Sequence, residues 1–481
     1  MNKIKTDIAV IGAGTAGMVA FNTARKHTDN IILIEGGQYG TTCARVGCMP
    51  SKLMIAAADA AHMVEKAPNF GVFPGSKAHI DGVKVMERVR NVRDRFVGSV
   101  LDKIESLPDA NKLRGYAKFL DDHTLLVDDH TTVEAGSIVI ATGSTPFVPP
   151  MFRDLGDRLV VSDDVFYWKN LPGSVVVFGA GIIGLEIGQA LHRLGVRIRM
   201  FGKGGHIGPI KHPKIRDYAA RIFADEFNLD ADGEILSVGR NEEGVEVRFK
   251  DLDGTELTET FDYLLAATGR KHNVTKLGLE NTSLELDERG IPLFNRFTLR
   301  CGESSIFIAG DADEDVPILH EAADEGYIAG ENAALFPDIM AGKRKTPMSV
   351  VFSDPQIATA GCGYNELIDM QGMIFVTGRV SFENQGRSRI MQKNKGMLHI
   401  YAEYGSGLLL GAEMFGPSAE HIGHLLAWAR EKKMTVTEML EMPYYHPTIE
   451  EGLRTALRDA NEKLHRGTAL TEDSIECGPG I

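Results

Sequence analysis

The chain has 481 residues, 43% of them hydrophobic and 25% charged, and its 66 acidic against 52 basic side chains leave a net charge of -14. That length suggests about three domains with ample core; the acidic balance argues against a nucleic-acid partner, and no uncharged run is long enough to span a bilayer. Five cysteines without a secretory signal point to a reducing, cytoplasmic setting, where a disulfide that persists would be a catalytic one.

Asp7-Ile8-Ala9-Val10-Ile11 reads as a short buried strand running into Gly12-Ala13-Gly14-Thr15-Ala16-Gly17, with a helix expected over roughly 15–28. The first glycine permits a tight turn, the second lets backbone amides approach a pyrophosphate, and the third lets the helix pack closely on the strand. A second strand, Ile31-Ile32-Leu33-Ile34, ends in Glu35, whose carboxylate can accept from the two ribose hydroxyls of an adenosine. The uncharged stretch from Ile8 to Ala24, preceded by Lys3 and Lys5, has the outline of a signal-peptide core. Its glycines and the immediate return to a strand ending in an acid argue otherwise.

Next come Thr42, Cys43, Arg45, Cys48 and Lys52, with the two thiols five positions apart. That spacing fits neither a two-residue metal hook nor a thioredoxin pair, and no metal site is expected. One helical turn can bring both sulfurs within bonding distance, but two inert buried thiols are the safer reading of the spacing alone, and only the surrounding sequence overturns it.

The nucleotide pattern recurs. Ser174–Phe178 leads into Gly179, Gly181 and Gly184, then Glu186 on a helix through Leu194, and each half carries a later Ala-Thr-Gly after an apolar strand, at Ala141-Thr142-Gly143 and Ala267-Thr268-Gly269. Two nucleotides are implied. The second strand of the second half ends in Gly202-Lys203 with no acid for a 2′-hydroxyl and a lysine that could meet a 2′-phosphate or simply face solvent; the sequence leaves the coenzyme open. Cys301 and Cys362 are expected to be buried, and Cys477 to sit in a flexible tail without a partner thiol.

Together these residues, with Ile306-Phe307-Ile308-Ala309-Gly310-Asp311 and His446-Pro447-Thr448-Ile449-Glu450-Glu451, resemble the pyridine nucleotide-disulfide oxidoreductases, flavoproteins that include dihydrolipoamide dehydrogenase, glutathione reductase and mercuric reductase. The resemblance implies an α/β fold with two Rossmann-like nucleotide-binding domains, for FAD and NAD(P), plus a C-terminal α+β dimerisation domain. Its expected limits are 1–148 and 269–345 for the FAD unit, 149–268 for the NAD or NADP unit, and 346–481 for the last. It implies a Cys43-Cys48 disulfide, with Cys48 against the flavin and Cys43 as the interchange thiol. Lys52 would lie by the flavin, paired with Glu186, and His446, held in one tautomer by Glu451, would act as base and acid at the partner subunit's disulfide in a homodimer. Gly12, Gly14, Gly17, Glu35, Thr42, Lys52, Ala117 (through its backbone), Thr142, Gly143 and Asp311 would hold FAD; Gly179, Gly181, Gly184, Lys203 and Gly269 would hold the nicotinamide coenzyme.

Among family members the match favours dihydrolipoamide dehydrogenase, acting on a small dithiol or on the lipoyl domain of a 2-oxo acid dehydrogenase complex, with a role in cell redox homeostasis. The alternatives are an NADPH-dependent reductase of another disulfide, glutathione reductase-like, and a flavin redox sensor that does not turn over. Arg45, where the family commonly has asparagine, would lower a thiol pKa, recruit an anion, or point away.

Overall fold

The computed structural model describes residues 2–464 apart from 77 and 252, so the expected tail around Cys477 lies outside the described residues. The first strand, Asn2–Ile11, buries its apolar half, Ile8 to Ile11, continuously and only Thr6 of its polar half. It runs five residues further toward the N-terminus than its apolar core predicts, because Asn2 to Thr6 pair in register with Thr131 to Ala135 of a ten-residue strand, Thr131–Ile140. Lys3 and Lys5 alternate along this polar half, so hydropathy hides it. The following helix spans Thr15–Ala24 and ends four residues short of Thr28, in turns where Lys26 N–H donates to the Thr23 carbonyl.

The sheet built on these strands has the order Lys112–Arg114, Ile31–Glu35, Asn2–Ile11, Thr131–Ile140, Thr124–Val127, Ala117–Phe119, with Ile306–Ile308 also paired to Thr131–Ile140. Parallel pairing of the apolar runs buries both faces, which is why they read as continuous Val/Ile/Leu stretches. The helix Leu319–Leu335 lies against Thr15–Ala24 through small residues. A Cβ added at Gly326 would fall 2.3 Å from the Ala16 carbonyl oxygen and one at Gly330 2.4 Å from that of Ala20. This close approach brings the Gly310–Ala312 turn beside the first glycine loop.

A second parallel sheet runs Leu229–Asp230, Arg197–Phe201, Ser174–Phe178, Tyr263–Ala266, Leu159–Val161. An antiparallel flap of Glu234–Arg240, Val245–Lys250 and Glu256–Phe261 packs on it through Phe178, Phe201 and Phe249. The chain leaves the first unit through Ser144–Pro146 and returns through Arg270–His272, and these two passages pair antiparallel. The last unit is a five-stranded antiparallel sheet covered by Ala419–Glu431 and Glu451–Lys463. This is the mixed α/β architecture of two Rossmann-like units and a C-terminal α+β unit. Among the described residues no helix is long and apolar enough to cross a membrane.

Candidate active site

The two glycine turns are built alike. Gly12 sits at φ 108, and a Cβ there would lie 2.2 Å from the Ala141 carbonyl oxygen, while one at Gly17 would lie 1.8 Å from that of Gly12. Gly179 repeats the first arrangement at φ 115 against Ala267, and Gly184 repeats the second at 1.9 Å from Gly179. The middle glycines differ: Gly14 and Gly181 have nothing within 4 Å of an added Cβ. Outer glycines are thus demanded by the protein's own packing, and the middle ones face open space where a phosphate can meet helix N-terminal amides.

That space is one continuous cavity of about 1610 Å³, lined by Gly14, Thr42, Cys43, Cys48, Lys52, Gly143, Gly181, Glu186, Lys203, Gly269 and Asp311. It exceeds the ~300–1,000 Å³ of a site for one small ligand, and the open cradles at both turns fit two bound nucleotides.

The thiols are brought together by a break between two helices. Thr42–Val46 is capped by Thr41, whose hydroxyl accepts from Ala44 N–H at 3.2 Å, and Cys48–Lys66 starts after Gly47. A Cβ at Gly47 would approach the Thr42 carbonyl oxygen to 3.0 Å and Cys43 Cα to 3.2 Å, so the chain folds back tightly there. Cys43 and Cys48 are free thiols in this structure and share a hydrogen bond. That bond, donated by Cys43, with help from the Lys52 charge, brings Cys48 down to about 7 against the opposing effect of burial. Cys43 is pushed up by the same bond and by burial. One proton therefore resides on Cys43 and the negative charge on Cys48, the first residue of its helix, where the dipole also favours an anion.

Lys52, one turn further along, donates from Nζ to Glu186 Oε1 at 2.9 Å and Oε2 at 2.7 Å. The Glu186 carboxylate, 5% exposed, also accepts from Phe352 N–H at 3.0 Å, and the Lys52 ammonium lies 4.6 Å from the Phe352 ring centroid. Asp311 accepts from Ser144 Oγ at 2.6 Å, and that hydroxyl in turn accepts from Arg270 Nε at 2.8 Å, which ties the carboxylate to both interdomain passages.

Other expected residues lie off the cavity lining. Glu35 ends its strand as predicted, its Oε2 accepting from Ala13 N–H at 2.8 Å and Oε1 from Gly37 N–H at 2.6 Å. Thr142 Oγ1 is buried without a hydrogen-bond partner among the described residues, and Ala117 is buried in its strand opposite Val127. Arg45 points away from the thiols and donates to the Gln38 carbonyl at 2.9 Å. Cys301 is fully buried, but Cys362 is only half-buried, because it lies in the loop after Gln356–Gly361 with its sulfur 4.0 Å from Arg430 Nη2. His446 is not among the residues around the thiols of its own chain. It is half exposed, with Nδ1 3.1 Å from Glu451 Oε1, and Glu451 Oε2 accepts from Thr448 N–H at 3.0 Å.

Residues 6–326 match the family model described as pyridine nucleotide-disulphide oxidoreductase, and residues 347–457 match its dimerisation domain. The chain belongs to the pyridine nucleotide-disulphide oxidoreductases. Its cofactors are accordingly FAD and NAD(P), and the matched dimerisation module supports a homodimer. The chain is 31% identical over 468 residues to a dihydrolipoyl dehydrogenase of Haloferax volcanii, covering 95% of this chain and 96% of that protein. It is 30% identical over 457 residues to one of Bacillus subtilis, covering 93% and 95%. In fold it is similar to LpdA from Mycobacterium tuberculosis, with a TM-score of 0.79 at 23% identity over 95% of this chain and 99% of that one. It is also similar to the HOCl-induced flavoprotein disulfide reductase RclA from Escherichia coli, solved as a Cu(II) complex, with a TM-score of 0.78 at 21% identity over 93% and 98%.

In this oxidoreductase several site-supporting residues escaped the sequence reading. Glu325, fully buried, accepts from Gly310 N–H at 2.8 Å and pairs with Arg344 at 2.7 Å, fixing the turn that carries Asp311. Beside it Asp313 is pushed up to about 8 by burial and by the Glu325 charge. The Asp-x-Asp after Gly310 and an acid in a small-residue helix were the available signals, but acids on a helix read by default as solvated.

Proposed function

We propose that the chain is a dihydrolipoyl dehydrogenase, which oxidises a dihydrolipoyl dithiol and passes two electrons to a nicotinamide coenzyme. The observation that carries this reading is the Cys43/Cys48 pair, with its uneven proton sharing, on a cavity into which both glycine turns open. The near-full-length relatives of that name support the substrate. Bound FAD supplies the two-electron junction between dithiol and nicotinamide.

The protein's own residues do the thiol chemistry. In the oxidised pair a substrate thiolate attacks the Cys43 sulfur, the Cys43-Cys48 bond breaks, and Cys48 leaves as a thiolate. Cys48 is the better leaving group because its thiol is the one held down, to about 7. The second substrate sulfur, as its thiolate, then attacks the substrate sulfur bound to Cys43, closing the substrate disulfide and releasing Cys43, which takes up the proton. His446 of the partner subunit is the proposed carrier of those protons. Glu451 accepts from its Nδ1–H, leaving Nε2 to exchange a proton. Lys52 keeps a positive charge four residues from Cys48, and Glu186 holds that charge in place. Gly12, Gly14, Gly17, Glu35, Thr42, Thr142, Gly143 and Asp311 are the proposed FAD residues, and Gly179, Gly181, Gly184 and Gly269 those of the coenzyme. We place the enzyme in the reducing cytoplasm and name a lipoyl domain as its macromolecular substrate.

The test is steady-state reduction of NAD and NADP by dihydrolipoamide, beside oxidation of NADH and NADPH by glutathione disulfide, on one preparation. Brisk dihydrolipoamide turnover is expected. Turnover with glutathione disulfide alone would transfer the site to another disulfide, and turnover with neither would leave the sensor reading.

A further inference from the structure

The two nucleotide turns keep a constant separation: Gly12 and Gly179, Gly14 and Gly181, Gly17 and Gly184 are each 167 residues apart. The same separation sets Glu35 against Gly202 and Gly37 against Gly204. In the first half the strand-end carboxylate of Glu35 accepts from Gly37 N–H at 2.6 Å. In the second half no side chain fits at the strand end, since a Cβ on Gly202 would lie 2.4 Å from the Ala231 carbonyl oxygen.

That carbonyl belongs to the loop after Leu229–Asp230, which is zipped onto the strand end: Gly202 N–H donates to Asp230 O at 2.7 Å and Gly205 N–H to Ala231 O at 3.1 Å. The next residue of the loop is Asp232. Its Oδ1 accepts from Gly204 N–H at 2.6 Å, the counterpart of the amide that Glu35 holds, at the same distance, from a different strand. Asp232 N–H donates to Asp230 Oδ1 at 3.0 Å, which fixes the loop; Asp232 Oδ2 has no partner among the described residues, and the side chain lines the cavity.

We propose that Asp232 is the coenzyme-selecting carboxylate, replacing the acid that the strand end lacks. Its free oxygen accepts from an adenosine ribose hydroxyl and its charge repels a 2′-phosphate, so the enzyme prefers NAD(H). Lys203 and His206 line the same end, and neither forms an ion pair among the described residues. They are exposed and make no hydrogen bond among the described residues, so ordering them on a phosphate costs side-chain entropy that the amide-bound Asp232 has already lost.

The inference rests on the nicotinamide chemistry and not on which disulfide is used. Isothermal titration of ADP-ribose and of 2′-phospho-ADP-ribose into the FAD-loaded protein tests it, because fragment binding needs no thiol turnover. ADP-ribose is expected to bind more tightly. Asp232→Asn, which keeps an oxygen for the Gly204 amide, should weaken ADP-ribose by ~10- to 100-fold, the loss of one charged hydrogen bond, and leave the phosphorylated fragment unchanged or tighter. Lys203→Ala should leave ADP-ribose binding intact. Tighter binding of the phosphorylated fragment by the unaltered protein, or equal weakening of both fragments by Asp232→Asn, would overturn the assignment.

Discussion

Replacing Cys43 by alanine removes the hydrogen bond that does most to hold Cys48 down at about 7, and leaves burial, which acts in the opposite direction, in place. Lys52 remains as the next lowering influence. The Cys48 midpoint should therefore rise toward the ordinary thiol value of 9.0. At neutral pH about half of Cys48 is thiolate in the unaltered dithiol, against ~1% at the ordinary value. Alkylation of Cys48 by iodoacetamide at neutral pH should fall by up to ~50-fold, with Cys48 followed by peptide mass spectrometry and the rate measured across pH. Lys52→Met should raise the midpoint by less than Cys43→Ala does. A Cys48 midpoint that stays near neutrality in Cys43→Ala would refute the reasoning, since the helix N-terminus and Lys52 would then hold the thiolate unaided.

Gly14→Ala should fold normally yet bind FAD weakly, because its Cβ enters open space at the phosphate cradle, whereas Gly17→Ala, with its Cβ 1.8 Å from a carbonyl oxygen, should lose fold stability as well; thermal melts and the flavin spectrum separate the two. In a mixed dimer of Cys43→Ser and His446→Gln chains, one site is doubly altered and the other is complete if His446 serves its partner. Such tagged heterodimers should recover up to half the activity, while a site built within one chain would recover none. The folded protein keeps the Asp313 proton up to about 8, whereas the unfolded chain releases it near the ordinary 3.8. Unfolding thus releases a proton between those values and stability falls as pH rises through them, so Asp313→Asn should shrink the drop in urea midpoint between about pH 5.5 and about pH 8.

The strand, glycine and helix pattern was legible because it is compact in sequence: Gly17 must be glycine for a contact with Gly12 inside one βαβ unit, although Gly12 itself is demanded by the distant Ala141 carbonyl. Cys43, Cys48 and Lys52 were legible because they are close in sequence, lying on two consecutive helices separated by Gly47. Asp232 was not, because the sequence marks only the empty strand end at Gly202 and the acid arrives from the following strand's loop. Nor could spacing show that Arg45 turns back to Gln38, or that Asp313 and Glu325 are buried together under the Gly310 turn. His446 was recognisable by its neighbours, but its distance from its own chain's thiols depends on the relation between distant units.

The most direct measurement is a thiol count by alkylation and mass spectrometry on the air-oxidised protein, unfolded before and after one equivalent of dihydrolipoamide under nitrogen. Of the five cysteines, Cys301, Cys362 and Cys477 should be labelled before reduction, and Cys43 and Cys48 should join them afterwards, both from a single peptide-linked disulfide. Labelling of all five before reduction, or a Cys43 and Cys48 state that dihydrolipoamide does not change, would contradict the account.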